Sequence, residues 1–141
     1  MSQTIVLGYD ASDSANAALA ATIRLAPRLG LKVVVVFGFY ISPLGGQQEG
    51  SIREAIEKVG QHAVNRAIAD LEAEGIEVEA RLVPAKPADA LIDVAKEVGA
   101  AAIVVGTVGE NPITGAFLGS VVLRLIQRSS IPVLVVPTSE G

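Results

Sequence analysis

Five short apolar stretches alternate with four longer amphipathic ones along the chain. The first, TIVLGY (Thr4 to Tyr9), ends against Asp10. The second, KVVVVFGF (Lys32 to Phe39), is almost wholly apolar. A continuous β-branched run of that kind suits a strand buried on both faces, as in a parallel sheet. IEVEARLVP alternates apolar and polar positions and reads as an edge strand with one wetter face. Ala101 to Val105 forms a fourth strand. PVLVVP, bracketed by Pro132 and Pro137, forms a terminal fifth.

Helical spacing fills the gaps. Ser12 or Asp13 is suited to cap the first helix, Gly30 to close it, and Pro27 to bend or shorten it. SPLGGQQEG (Ser42 to Gly50) reads as a loop. Ile52, Ile56, Val59, Ala63, Val64, Ile68 and Leu71 make the apolar stripe of a long second helix that stops at Gly75. Pro87 occupies a plausible first position of the third helix. The fourth opens at Ser120 and runs to about Ser130.

The resulting order is βαβαβαβαβ. Alternation implies an α/β fold: a doubly wound five-stranded parallel sheet, order 3-2-1-4-5, with helices on both faces. Residues 1–141 make one domain of ordinary size. The topological switch falls between strands 1 and 4, and ligands of such folds bind at the carboxyl ends of strands beside the switch. Those ends carry Gly8-Tyr9-Asp10 and the loop GTVGENPITGAFLGS, residues 106–120.

That loop leaves a strand and enters a helix, with four glycines in fourteen residues and no lysine or arginine. A helix N-terminus presents unpaired N–H groups and about half a unit of positive charge, so it receives an anion without a basic side chain. Glycine admits close approach and unusual φ. A carboxylate at the end of strand 1 is placed to accept from ribose hydroxyls, as in dinucleotide folds. No Gly-Lys-Ser/Thr occurs, so the loop is not a Walker motif.

Composition narrows the choice. Eleven basic against fifteen acidic residues give a net charge of −4, a poor match to nucleic acid or an anionic membrane. Cysteine is absent, which removes disulfides, thiolate metal sites and a cysteine nucleophile. No signal peptide pattern opens the chain and no apolar run is long enough for a bilayer, so a cytoplasmic location is expected. His62, the only histidine, lies among charged residues on the second helix and reads as a solvated position, which makes a zinc site improbable. Lys86 reads as a solvated lysine. Arg124 and Arg128 read as cations favouring the carboxyl end of helix 4.

Gly106-x-x-Gly109, nine residues, then Gly119-Ser120 resembles the nucleotide-binding loop of the universal stress protein family. The strand ending in Asp10 with Asp-x-Ser after it, Pro87 to Leu91, and the terminal Pro-Val-Leu-Val-Val-Pro extend the resemblance over essentially the whole chain. It implies a nucleotide-binding stress or signalling protein. Gly106 and Gly109 would let backbone approach ribose and phosphates. Gly119, Ser120 and Val121 would receive phosphate. Asp10, beside Gly8, would lie near ribose and adenine, and Gly38 would flank the base. The ligand would be ATP, AMP or cyclic AMP, with magnesium a possible companion of ATP. The family commonly dimerises through its last strand, here Pro132 to Pro137, which would also cover an apolar edge.

Two positions depart from the resemblance. Glu110 stands where many relatives carry a basic residue, and Ala116 where some have arginine. At an effective dielectric near 20, a carboxylate about 6 Å from a phosphate charge costs roughly 2–3 kcal/mol. The expectation is a preference for AMP-like or cyclic AMP-like ligands, or ATP bound weakly or through a divalent ion. No catalytic residue and no metal ligand is assigned, because no positioned base is evident. A slow magnesium-dependent ATPase and a ligand-free interaction module of the same fold are the alternatives.

Overall fold

The structure, a computed structural model, describes residues 3–40, 49–107 and 119–138. Five strands, β1 (Gln3–Gly8), β2 (Leu31–Gly38), β3 (Val78–Val83), β4 (Ala102–Gly106) and β5 (Val133–Val136), alternate with four helices. These are α1 (Asp13–Leu29), α2 (Glu49–Ala73), α3 (Pro87–Val98) and α4 (Ser120–Arg128). The strands form one parallel sheet in the order β3-β2-β1-β4-β5. Class, strand order and helix number follow the apolar pattern.

Period-two alternation divides the sheet between two cores. Ile5, Leu7, Val33, Val35 and Val104 face α1 and α2, where Leu19, Val64 and Leu71 meet them. Val6, Val34, Val36, Ile103 and Val105 face α3 and α4, meeting Leu91, Val94, Val122 and Leu125. The valine run of β2 is apolar throughout because successive residues serve opposite cores.

Local signals set most ends. Ser12 is the cap of α1: its Oγ accepts from Ala15 N at 3.1 Å, and Asp13 is the first helical residue. Gly30 and Gly99 close α1 and α3 in the left-handed region at φ 65° and 63°. Pro27 does not shorten α1, which runs on to Leu29. Its missing N–H removes one ladder bond, to the carbonyl of Ile23, and the helix continues past it.

The α2 stripe is buried only in part. Ala63, Val64 and Leu71 are buried, whereas Ile52 and Val59 are exposed. A helix of 25 residues is about 37 Å long, against about 26 Å for the eight residues of β2, so α2 overhangs the sheet. Gly60 seats it: a Cβ there would stand 2.5 Å from the Phe37 ring.

Candidate functional site at the carboxyl edge

The strand order makes β1 and β4 neighbours whose following helices go to opposite faces, α1 to one and α4 to the other. They pair from Ile5–Ala102 to Leu7–Val104, and Gly8 and Gly106 end the two strands. In doubly wound sheets this switch point is where ligands bind. The ends of β1 and β4 and the start of α4 carry Gly8, Asp10, Gly106, Gly119, Ser120 and Val121, while Gly38 lies one strand away at the end of β2.

On the β1 side, the chain turns at Ala11, the one non-glycine residue with positive φ (66°) among the described residues. Asp10 Oδ1 accepts from Ser12 N at 3.0 Å, an Asx turn that leads directly into the Ser12 cap. Tyr9, buried behind it, donates its hydroxyl to Asn16 Oδ1 on the first turn of α1. Burial pushes the Tyr9 phenol above its ordinary value, with Asp70 and Asp10 adding to the rise and Arg66 opposing it.

On the β4 side, Gly119 N donates to Thr107 O at 2.8 Å, so the two ends of the loop meet. Gly119 is the extended N-cap of α4 and accepts from Leu123 N at 3.1 Å. Among the described residues no side chain caps this helix, and its first turn carries no acidic residue. The N–H groups of Ser120, Val121 and Val122 therefore have no acceptor within the helix. Ser120 is exposed and Val121 half-buried. Gly109, Glu110 and Ala116 lie outside the described residues, as does most of the Ser42 to Gly50 stretch. Gly50 itself is already within α2.

Three of the expected site glycines have a packing role that their sequence context does not announce. A Cβ on Gly106 would stand 2.0 Å from Ser14 Oγ and 2.3 Å from Ser14 O. On Gly38 it would stand 2.8 Å from Pro87 Cα, and on Gly8 3.1 Å from the Leu91 side chain. Each lets a helix descend onto the end of a strand. The same close fit brings the first turns of α1 and α3 down to the carboxyl edge.

Arg124 does not serve the end of α4. It sits mid-helix with Nε 3.2 Å from Asp89 Oδ1, in the first turn of α3, and Arg128 approaches the same oxygen at 4.0 Å. Lys86 lies 5.4 Å above the exposed ring of Tyr40, just after β2. His62 is exposed on α2. Among the described residues no group of three potential ligands could hold a metal ion, and no helix is long and apolar enough to cross a membrane.

An acceptor carboxylate after β1 and helix-start N–H donors after β4, with no acceptor within the helix, are complementary to a ligand carrying hydroxyls and an anion. Comparison with known proteins agrees in kind. The family model described as "Universal stress protein family" matches residues 1–137. A universal stress protein of Methanocaldococcus jannaschii is 31% identical over 136 residues, covering 94% of this chain and 80% of that protein. A universal stress protein solved in complex with cAMP is 31% identical, with TM-score 0.75 and coverage of 97% and 98% of the two chains. The Archaeoglobus fulgidus universal stress protein in complex with dAMP is 27% identical, with TM-score 0.68 and coverage of 96% and 98%.

Proposed function

The chain belongs to the universal stress protein family, and from that premise we propose that it binds an adenine nucleotide in the β1/β4 crevice and acts as a dimeric sensor or buffer. The observation that carries the reading is that the start of α4, with no side-chain cap, and the Asp10 carboxylate follow the neighbouring strands β4 and β1. The α4 N–H groups receive the phosphate and Asp10 accepts from the ribose. Gly119, Ser120 and Val121 line the phosphate end, with Gly106 and Gly109 at the loop entry and Gly8 and Gly38 beneath the nucleoside. The cAMP and dAMP complexes of two relatives support this ligand class.

The acidic loop tunes the choice. Glu110 sits in sequence beside Gly109, and no lysine or arginine occurs between Gly106 and Ser120. A monophosphate or cyclic monophosphate meets less repulsion than a triphosphate, and ATP binds weakly or with magnesium. Ligand retention and a change of state, rather than turnover, are the output.

Two copies associate through β5. Ile103 N bonds to Pro132 O at 2.8 Å, with Ile103 opposite Val133. In a parallel ladder the residues flanking Val133 then face β4, and Val133 and Val135 turn their main-chain groups outward. Exposed Leu134, Leu123 and Ile126 lie on the two outermost elements of this side, β5 and α4. At the opposite edge, β3 carries Glu79 and Arg81: Lys32 of the neighbouring β2 reaches Glu77 and Glu79 at 3.6 and 3.3 Å, and Arg81 pairs with Glu79 and with Glu97 of α3. Charge of that density disfavours edge pairing, which leaves β5.

Calorimetric titration of nucleotide-stripped protein with ATP, ADP, AMP and cyclic AMP, with and without magnesium, tests the reading. Tighter AMP or cyclic AMP than metal-free ATP is expected. Absence of binding by all four would reject the nucleotide site, and metal-dependent phosphate release would favour a slow ATPase.

A further inference from the structure

We infer that Tyr9 is a positioning residue of the crevice: its hydroxyl, bonded to Asn16, holds the turn that aims the Asp10 carboxylate. This rests on the proposed role of Asp10 in nucleotide binding. Tyr9 is 3% exposed, and its N–H extends the β1–β2 ladder to Val36 O at 3.1 Å. Its ring belongs to the core beneath α1 and α2. Asn16, its partner, is fixed in turn by its own N–H on Ser12 O at 2.9 Å. The Tyr9–Asn16 bond therefore ties the end of the strand to the first turn of the helix, across the turn between them.

That turn needs a tie. Ala11 holds φ 66°, a region that crowds Cβ against the following carbonyl. A residue stays there only while its surroundings over-determine it. Two bonds do so locally, Asp10 Oδ1 to Ser12 N and Ser12 Oγ to Ala15 N. Both lie on the helix side of Ala11 or straddle it by a single residue. Tyr9 to Asn16 is the side-chain bond that spans the whole turn. Once it is lost, Ala11 is freer to relax toward the right-handed region, and the Asp10 carboxylate turns with it. Asp10 Oδ2 has no partner among the described residues and is the oxygen left for a ligand. Burial keeps the phenol in its protonated, donating form.

The test is a double-mutant cycle with Tyr9→Phe, Asp10→Asn and both, each titrated with AMP and cyclic AMP and each melted thermally. Tyr9→Phe should weaken binding about threefold to tenfold, the range of one lost hydrogen bond. In the Asp10→Asn background the same change should leave affinity within twofold, because the carboxylate it serves is gone. The thermal cost of Tyr9→Phe should be the same in both backgrounds. Asn16→Ala, which removes the bond from the other end, should repeat the pattern if Tyr9→Phe folds poorly. An equal affinity penalty in both backgrounds, or none in either, would overturn the positioning role while leaving the site intact. No binding by the parent chain would instead reject the site itself.

Discussion

Gly106, at the end of β4, lies so close beneath Ser14 of α1 that a Cβ on it would stand 2.0 Å from the Ser14 hydroxyl oxygen. The next contacts are backbone, Ser14 O at 2.3 Å and Ser14 C at 2.5 Å, so no rotamer change relieves them. Gly106→Ala should cost about 3 kcal/mol, the upper range of overpacking, and lower the Tm by about 10 °C. Ser14→Gly should not rescue it, since the carbonyl remains. A melting temperature unchanged by Gly106→Ala would show that α1 is not seated as described.

The start of α4 allows stability and binding to be driven in opposite directions. Ser120 is the first residue of a helix with no acidic group in its first turn. Ser120→Glu should stabilise the fold by about 0.5 kcal/mol through the helix dipole. The same carboxylate, roughly 6 Å from a bound phosphate, should weaken nucleotide binding by roughly 2 kcal/mol, about thirtyfold. Denaturant unfolding and calorimetry on one preparation would read both. Unchanged affinity would place the phosphate elsewhere.

The outward-facing main chain of β5 predicts a separation of folding from assembly. Proline at 135 removes an N–H that β4 does not use, so Val135→Pro should leave the sheet intact. It should also block strand-to-strand pairing of two copies. Light scattering behind size exclusion should then report a monomer with a near-parent melting temperature. A Val135→Pro protein that remains dimeric would place the interface off β5.

The buried phenol of Tyr9 gives a signature at alkaline pH. Burial raises its folded-state value above the ordinary tyrosine range. The unfolded chain then ionises first, near pH 10, so the stabilisation is complete below that value and is lost as pH rises through the folded one. Stability of the parent should fall more steeply above pH 10 than that of Tyr9→Phe, by up to about 1.4 kcal/mol per unit of separation. The exposed Tyr40 is common to both proteins and cancels. Parallel stability curves from urea unfolding between pH 9 and 12 would contradict the burial.

The apolar pattern alone determined the class, the number of strands and helices, and their order along the chain. The doubly valine-faced β2 and the glycine stop at Gly30 were legible because period and turn chemistry are local properties. The switch point between β1 and β4 was legible as well, since alternation implies a doubly wound sheet and the switch follows from strand order. Tertiary packing decided the rest. Nothing local to Gly106 says that Ser14 will sit on it, and nothing local to Gly60 says that Phe37 will nest there. The partners are distant in sequence and meet only once helices lie on the sheet. Ile52 and Val59 carry the right period yet stay exposed, because α2 is longer than the strands it covers. Arg124 finds Asp89, thirty-five residues away, rather than its own helix end. Tyr9 reads in the sequence as one more apolar strand residue. Only the descent of α1 onto the sheet brings Asn16 within reach of its hydroxyl, and with it a tie across the turn that carries Asp10.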